Sequence, residues 1–309
     1  MIGKFPEVLD SSILAEFKAC PMKFKLTYID QWKPRAPSTH LHAGAAFARG
    51  LEVARRAFYE QNIDAENSYA LGGQALMQAY GDHVPQGGPK SSVHNKTAIR
   101  MLGGLEFYFE KYPLNHQTAY PILMPGGKRG IEFQFVHPLP ILHPDTGIPL
   151  QYCGRADGIF QFAGGTYIFD DKTASQLGDT WAAQWKLRAQ FSGYCWAARE
   201  AGIKVDGVVV RGISFLKNGY GTVEDISFRS DYMISTWYTE MLDWIDRMIH
   251  CYKTNRWQHT FDHACSDFGG CGYQDSCDME DQVAWLERSH EHRHWDPITR
   301  QETLLEAPK

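Results

Sequence analysis

The chain has few of the features that mark a membrane or exported protein. Its 309 residues contain no run of about 18 apolar residues, the length that a helix needs to cross a bilayer. The first segment, MIGKFPEVLDSSILAEF, lacks the uninterrupted apolar core of a signal peptide. We therefore expect an intracellular, cytoplasmic protein without a membrane partner.

Positive charge is also scarce. Lys and Arg total 31 against 36 Asp and Glu, which gives a formal net charge of −5. Proteins that coat nucleic acid without sequence preference are usually basic, so this balance argues against such a role. An enzyme that acts on DNA is still compatible with it, because the field inside a cleft matters more than the total charge.

Internal repeats and low-complexity tracts are absent too, and 43% hydrophobic residues suffice for a sizeable core. Helical patterns cover about residues 42–61, 65–80 and 94–112. Strand patterns follow at 131–136, 151–162 and 166–172. The remaining elements are a long helix at about 180–201, strands at 208–216 and 221–228, and a helix at 232–252. This succession predicts an α/β fold with a central mixed sheet flanked by helices.

A glycine-containing turn at residues 163–166 joins two of these strands as a hairpin. With the two ends of the turn paired, the numbers of facing residues sum to 329, and Asp157 faces Lys172. Facing residues, and residues two apart on one strand, project from the same face of a sheet. The hairpin therefore predicts Asp157, Asp170 and Lys172 on one face and Asp171 on the other.

Two carboxylates beside a lysine suit the hydrolysis of a phosphodiester. Carboxylates supply the oxygen ligands that Mg²⁺ and Mn²⁺ prefer. The metal polarises the phosphate and lowers the pKa of a bound water, while the lysine stabilises the developing charge. The other interpretation of an Asp/Lys pair is a surface salt bridge across the hairpin. The apolar and glycine neighbours at residues 153–154 and 168–169 favour a partly buried cluster instead.

Three short motifs follow one another in this region. They are GRAD at residues 154–157, DDKT at 170–173 and QFSGY at 190–194. Their order resembles the RecB-like branch of the PD-(D/E)XK nuclease superfamily, with its pattern G-x-x-D, D-x-K-T and Q-x-x-x-Y. The resemblance implies a restriction-endonuclease-like core with a helical insertion.

The same resemblance implies roles for individual residues. Asp157 and Asp170 would be metal ligands, Lys172 the catalytic lysine, and the backbone carbonyl of Asp171 a further ligand. Gln190 and Tyr194 lie one helical turn apart and would help to hold the site and contact DNA.

One position departs from the family pattern. Related nucleases often carry G-x-x-x-H in the first core helix, with the histidine as a metal ligand. Here Gly44 is followed four residues later by Ala48. Glu52 lies one turn further along the same face and could supply a carboxylate, and His42 is a second candidate. The alternative for Glu52 is an ordinary solvated helix carboxylate.

Three of the seven cysteines, Cys265, Cys271 and Cys277, form a C-x₅-C-x₅-C run, and Cys20 is the natural fourth ligand. This arrangement resembles the iron–sulfur branch of RecB-like nucleases, which includes CRISPR adaptation nucleases, AddB and phage exonucleases. The resemblance implies a [4Fe–4S] cluster held by the four thiolates. Zn²⁺ is the alternative, and His263 could then take part. The C-x₂-C spacing usual in that branch is absent, and a third interpretation is unrelated thiols.

These features predict a Mg²⁺- or Mn²⁺-dependent deoxyribonuclease. We expect an exonuclease on single strands or duplex ends, working with protein partners in recombination, repair or phage DNA processing. The alternatives are a catalytically silent DNA-binding or assembly subunit, an RNA nuclease, and a cysteine-metal protein without nuclease activity. One nuclease domain is expected over residues 1–285, with an insertion at about 62–115, a core at about 116–230, a cysteine-rich segment at 261–280 and a tail at 286–309.

Overall fold

The computed structural model describes residues 3–35, 38–85, 91–116, 118–261, 263–266 and 270–298. The chain forms two compact units, each assembled from separate stretches of sequence. The first unit comprises residues 1–36, 135–154 and 235–309, and the second comprises 37–134 and 155–234. The single domain, its insertion and its tail stay predictions. Residues 262, 267–269 and 299–309 of the predicted cysteine-rich segment and tail lie outside the described residues.

The second unit is built on a mixed β-sheet. Its strands are β3 (Ala119–Pro121), β4 (Ile131–Leu142), β5 (Pro149–Phe162), β6 (Gly165–Ala174), β7 (Gly207–Leu216) and β8 (Gly219–Phe228), of which β4 and β5 also contribute residues to the first unit. β6 is antiparallel to β5 and parallel to β7, and β7 is antiparallel to β8. β3 and β4 both pair with β5. The mixture follows from the connections, since short turns join antiparallel neighbours whereas helices link β6 to its parallel neighbour β7.

The hairpin between β5 and β6 turns on Ala163 and Gly164. Both have positive φ, 48° and 81°, as a two-residue type I′ turn requires. Phe162 therefore pairs with Gly165, and facing residues have numbers that sum to 327. The predicted sum of 329 was wrong, because the left-handed position falls on Ala163. A shift of two leaves every side chain on its predicted face, since the side-chain period of a strand is two.

Helices cover both faces of this sheet. On one face lie α3 (Thr39–Tyr59) and α5 (Ala98–Lys111), with α4 (Ala65–Tyr80) packed on α3, and on the other lie α6 (Asp179–Ala183) and α7 (Ala189–Glu200). Residues of β7 contact helices on both faces of the sheet. Phe215 packs in the core with α3 and α5, whereas a Cβ at Gly212 would lie 2.5 Å from the ring of Trp181 in α6. The central mixed sheet flanked by helices confirms the predicted fold class.

The long helix predicted over residues 180–201 is interrupted at 184–188. In a continuous helix the carbonyl of Trp185 would accept from the N–H of Ala189. It accepts instead from Nη2 of Arg229 at 3.0 Å and from the N–H of Arg188 at 3.2 Å. Arg229 is only 2% exposed, and its buried guanidinium needs acceptors. The break leaves Arg188 as the N-cap residue of α7.

Small residues let α3 and α4 pack closely. A Cβ at Gly72 would lie 2.7 Å from the carbonyl oxygen of Gly50 and 2.9 Å from Cβ of Ala54. This crossing is part of the main hydrophobic core of the unit, which also takes side chains from α5 and β7. Its members include Phe47, Leu76, Tyr80, Leu105, Tyr108, Phe109 and Phe215.

The first unit contains short elements and most of one long helix. They are β1 (Val8–Leu9), α1 (Ser11–Ala19), α2 (Pro21–Phe24), a π-helix (Lys25–Ile29), β2 (Trp32–Pro34), most of α8 (Asp231–Thr254), α9 (His263–Ser266), a 3₁₀ turn (Gln274–Ser276), α10 (Gln282–Ser289) and β9 (His290–His292). β1 runs parallel to the start of β5, and β2 pairs antiparallel with β9. In the described part of the chain, no helix has the length and apolar character needed to cross a membrane.

The close approach of α3 and α4 generates a stability prediction. Gly72→Ala should lower the free energy of unfolding by about 1–2 kcal/mol. Overpacking destabilises by about 1–3 kcal/mol, and the higher helix propensity of alanine offsets at most about 1 kcal/mol of this. Urea denaturation measures the change. Gly178→Ala is the matched control, since nothing lies within 4 Å of its Cβ position. Equal stability of the two variants would contradict the close packing.

Candidate active site

Regular pairing between β5 and β6 stops next to the predicted acidic residues. The paired residues run from Phe162 and Gly165 to Gly158 and Phe169. At the next position, Oδ2 of Asp157 accepts the main-chain N–H of Asp171 at 2.6 Å. The carboxylate thus satisfies a buried backbone donor where the ladder ends. This contact holds Asp157 beside β6.

Asp170 and Lys172 share the face predicted for them. Oδ2 of Asp170 forms an ion pair with Nζ of Lys172. Both lie on β6 between β5 and β7, and Asp170 is only 3% exposed. The charge of Asp157 acts on Lys172 as well, so the three side chains form one electrostatic group.

Asp171 points to the opposite face, as predicted. Its carboxylate accepts from Nη2 of Arg55 at 2.7 Å and from the hydroxyl of Tyr108 at 2.6 Å. Arg55 also donates to the hydroxyl of Tyr108 at 3.0 Å, which closes a buried triangle with α3 and α5. The side chain of Asp171 is therefore engaged in structure, and only its backbone carbonyl remains available for the role that the resemblance implies.

The acidic residues of the site repel one another. Burial raises the pKa of Asp157 to about 7, and the charges of Asp170 and Asp171 add to this while Lys172 opposes it. Burial also raises the pKa of Asp170, against the opposing charge of Lys172. A divalent cation would relieve such repulsion, so the donor set fits Mg²⁺ or Mn²⁺ in charge and in ligand chemistry.

A further buried carboxylate, Glu132 on β4, was not identified from the sequence. It is 8% exposed, and burial followed by the charge of Asp157 raises its pKa well above the ordinary value. The only hint in the sequence is a glutamate in the apolar strand IEFQFV, where alternation assigns it to the solvent face. The structure places it inside, near Asp157 and Glu52.

The two candidates for the missing histidine are far apart on α3. Glu52 is 3% exposed and accepts from Arg49 at 2.9 Å and Arg56 at 3.0 Å. His42 bonds to the carbonyl of Tyr80 at 2.8 Å. Ten residues of helix separate Glu52 from His42 by about 15 Å. One ion cannot take both, and the proximity of Glu132 to Glu52 favours the glutamate end of the helix.

The start of α7 faces the same acidic group. Nε2 of Gln190 donates to the hydroxyl of Tyr194 at 2.9 Å, which confirms their common helix face. Arg188 is exposed, and its charge acts on both Asp170 and Lys172. Arg188 could not be identified from the sequence, because a cation before an amphipathic helix is ordinary. Only the interruption of the predicted helix places it here.

The four predicted cysteine ligands line one pocket of the first unit, together with Lys23, Leu26 and Thr260. All seven cysteines are free thiols. The N–H of Thr260 lies 3.5 Å from Sγ of Cys20, and the N–H of Cys271 donates to the carbonyl of Cys265 at 2.8 Å. Burial raises the pKa of Cys277 to about 11, and charges on the other three thiols add to it. The donor set fits a thiolate-bound metal centre, since a cation would offset that repulsion.

Neither group is placed as a finished coordination shell. In the described part of the chain, no three His, Cys, Asp or Glu side chains form a group arranged to hold a metal ion. Binding of a metal ion at either site would thus require side chains to rotate towards the ion.

Comparison with known proteins agrees with the site geometry. The family model of the PD-(D/E)XK nuclease superfamily matches residues 11–278, which includes the whole acidic group and all four clustered cysteines. The chain therefore belongs to the PD-(D/E)XK nuclease superfamily. No curated protein matches it.

Two solved structures share weak similarity with the chain. A candidate exonuclease from Eubacterium rectale has 13% identity and a TM-score of 0.45, covering 96% of this chain and 92% of its own. The protein SSO0001 also has 13% identity, with a TM-score of 0.28, 75% coverage of this chain and 84% of its own. At these values neither structure informs the function of the chain.

The raised pKa of Asp157 predicts a pH dependence of stability in chelator. The native state keeps a proton that the unfolded chain releases near pH 4, so stability should fall as pH rises from about 4 to about 7. The amide introduced by Asp157→Asn cannot ionise, so this variant should lose this part of the decline. Urea unfolding in EDTA at pH 5 and pH 8 measures it. The exposed Asp246→Asn variant is the control, and parallel pH profiles for all three proteins would reject the assignment.

Proposed function

We propose that this protein is a Mg²⁺- or Mn²⁺-dependent deoxyribonuclease whose site comprises Asp157, Asp170 and Lys172. The observation that carries the proposal is the convergence of these side chains on one partly buried face, where pairing between β5 and β6 ends. Membership of the nuclease superfamily supports the same chemistry.

The carboxylates of Asp157 and Asp170 and the backbone carbonyl of Asp171 would hold the cation. When bound, the cation supplies Lewis-acid polarisation of the phosphate and a source of hydroxide near neutral pH. The Asp157 carboxylate is fixed by the N–H of Asp171, so part of the ligand geometry is set before binding. Asp170 would exchange its ion pair with Lys172 for the metal and free the ammonium for substrate.

Lys172 acts as a cation in this proposal and not as a base. Burial lowers its pKa, but the charges of Asp170 and Asp157 raise it more, and the net shift is upward. An ammonium that stays charged stabilises the negative charge that develops on the scissile phosphate.

DNA would approach from the side of α7. Arg188 is an exposed cation next to the acidic group, and the Gln190–Tyr194 pair lies on the same helix. Arg188 would supply a local positive charge for contact with a DNA phosphate, although the net charge of the chain is −5. By the RecB-like resemblance, we propose an exonuclease on single strands or duplex ends, serving intracellular recombination, repair or phage DNA processing with protein partners.

We also propose that Cys20, Cys265, Cys271 and Cys277 bind a [4Fe–4S] cluster. The pocket that they line and their free thiols support a four-thiolate centre. The RecB-like resemblance favours iron–sulfur over Zn²⁺, which four thiolates also suit. The role would be structural, because Cys20 is 245 residues from Cys265 and the centre would join both ends of the first unit.

A second candidate is a catalytically silent DNA-binding or assembly subunit. The observation in its favour is that both carboxylate oxygens of Glu52 already accept hydrogen bonds from arginines, so Glu52 does not simply replace the family's histidine. The burial of Asp170, beside the partly buried Asp157 and Lys172, favours activity, because buried charges without a function are rare.

The nuclease proposal predicts that Asp170→Asn and Lys172→Ala each reduce Mn²⁺-dependent cleavage of end-labelled DNA at least about 100-fold, as loss of a charge-stabilising group does. The exposed Asp246→Asn and Lys217→Ala variants serve as matched controls. Single-stranded DNA, duplex DNA and RNA are compared with Mg²⁺, Mn²⁺ and EDTA. Wild-type inactivity on every substrate, with DNA binding retained, would favour the silent subunit. Cleavage of RNA alone would reject the deoxyribonuclease.

The cluster proposal predicts that protein purified without oxygen is brown, with broad visible absorption and about four iron atoms per chain, as a [4Fe–4S] cluster requires. Cys277→Ser should lose the colour, whereas Cys251→Ser, outside the pocket, should keep it. Colourless protein with one zinc per chain would contradict the iron–sulfur assignment.

A further inference from the structure

Glu132 is turned into the protein by its own backbone. Its φ is +55°, a left-handed conformation that is uncommon outside glycine, asparagine and aspartate. Ile131, Glu132 and Phe133 are consecutively buried, and the alternation of buried and exposed residues resumes only at Gln134. A residue of this kind within a strand re-aims a side chain, and such distortions concentrate beside active sites.

The inward turn brings Glu132 towards the acidic group. The N–H of Ile159 donates to the carbonyl of Gly130 at 2.7 Å, so the residue that directly precedes β4 is a neighbour of β5. The short connection between the two strands makes them antiparallel. Glu132 forms an ion pair with Arg155, which is two residues from Asp157 on β5 and projects from the same face of that strand. The charges of Glu132 and Asp157 interact, in agreement with this placement.

One buried oxygen of the Glu132 carboxylate has a partner but no well-directed hydrogen bond. Oε2 lies 3.0 Å from Nε of Arg155. The ion pair is close, yet among the described residues this buried oxygen accepts no hydrogen bond of good geometry, and neither does Nη1 of Arg155 find an acceptor. Buried carboxylate oxygens are normally satisfied, so an exception points to a bound ion or a catalytic role.

Glu52 differs from Glu132 in this respect. Each of its two oxygens accepts from an arginine of its own helix, Arg49 on one side and Arg56 on the other. Binding a cation would compete with at least one of these bonds. Glu132 would give up only a poorly directed contact with Arg155.

We propose that Glu132, and not Glu52, is the side chain that completes the divalent-cation site of Asp157 and Asp170 in place of the family's histidine. The inference rests on the proposed nuclease function. It makes β4 the source of the remaining ligand and assigns Glu52 to holding Arg49 and Arg56. Oxygen in place of imidazole nitrogen also favours Mg²⁺ and Mn²⁺ over softer metals.

Mn²⁺ binding to the full-length protein tests this proposal independently of catalysis. Free Mn²⁺ is measured by electron paramagnetic resonance during titration of wild type and of Glu132→Gln, Glu52→Gln and Asp170→Asn. We expect Glu132→Gln to weaken binding about tenfold or more, as loss of a metal-site group does, and Asp170→Asn to weaken it at least as much. Glu52→Gln should change it less than about threefold. Circular dichroism checks the fold of each variant.

The outcomes separate the inference from the function on which it rests. Wild-type affinity in Glu132→Gln, with loss in Asp170→Asn, would overturn the role of Glu132 and leave the nuclease site standing. Loss in Glu52→Gln alone would also overturn it, in favour of the helix carboxylate. Absence of Mn²⁺ binding by the wild type would overturn both proposals. If Glu132→Gln does not fold, Glu132→Asp serves instead, because its shorter arm keeps the charge and should still weaken binding.

Discussion

The buried triangle of Asp171, Arg55 and Tyr108 fixes β6 against α3 and α5. Its consequence lies on the opposite face of the strand. Side chains alternate along a strand. Anchoring Asp171 on the face that packs against α3 and α5 therefore directs Asp170 and Lys172 to the opposite face. The N–H of the same residue then holds the carboxylate of Asp157. One residue that takes no part in the proposed chemistry through its side chain therefore positions the three that do. Removing one partner of such a buried pair typically costs about 3–5 kcal/mol, so its geometry is strongly held.

The charges around this anchor follow a consistent arrangement. Arginines satisfy the carboxylates that serve structure, as Arg55 does for Asp171 and Arg49 and Arg56 do for Glu52. The carboxylates facing the candidate site are less well satisfied. Asp157, Asp170 and Glu132 lie close to one another, and burial raises the pKa of each. Such repulsion destabilises the protein alone and would strengthen the binding of a cation, which is a common compromise at functional sites.

The hairpin could be predicted from the sequence because its information is local. A glycine-containing turn and alternating strands identify it, and a register error of two residues left every side chain on its predicted face. The break in the helix at 184–188 could not be predicted, because it depends on Arg229, more than 40 residues away in sequence. The burial of Glu132 could not be predicted for a related reason. Its left-handed backbone overrides the alternation that assigns it to solvent, and no local pattern announces that reversal.

The sequence by itself determined the superfamily, the mixed α/β architecture and the shared face of Asp157, Asp170 and Lys172, since ordered motifs and strand periodicity carry them. Only the tertiary structure decided which further groups surround that face. Glu132, Arg188 and the two arginines on Glu52 arrive from different elements, and their positions depend on packing between residues distant in the chain. Periodicity reports which way a side chain points, whereas only folding determines what it meets there.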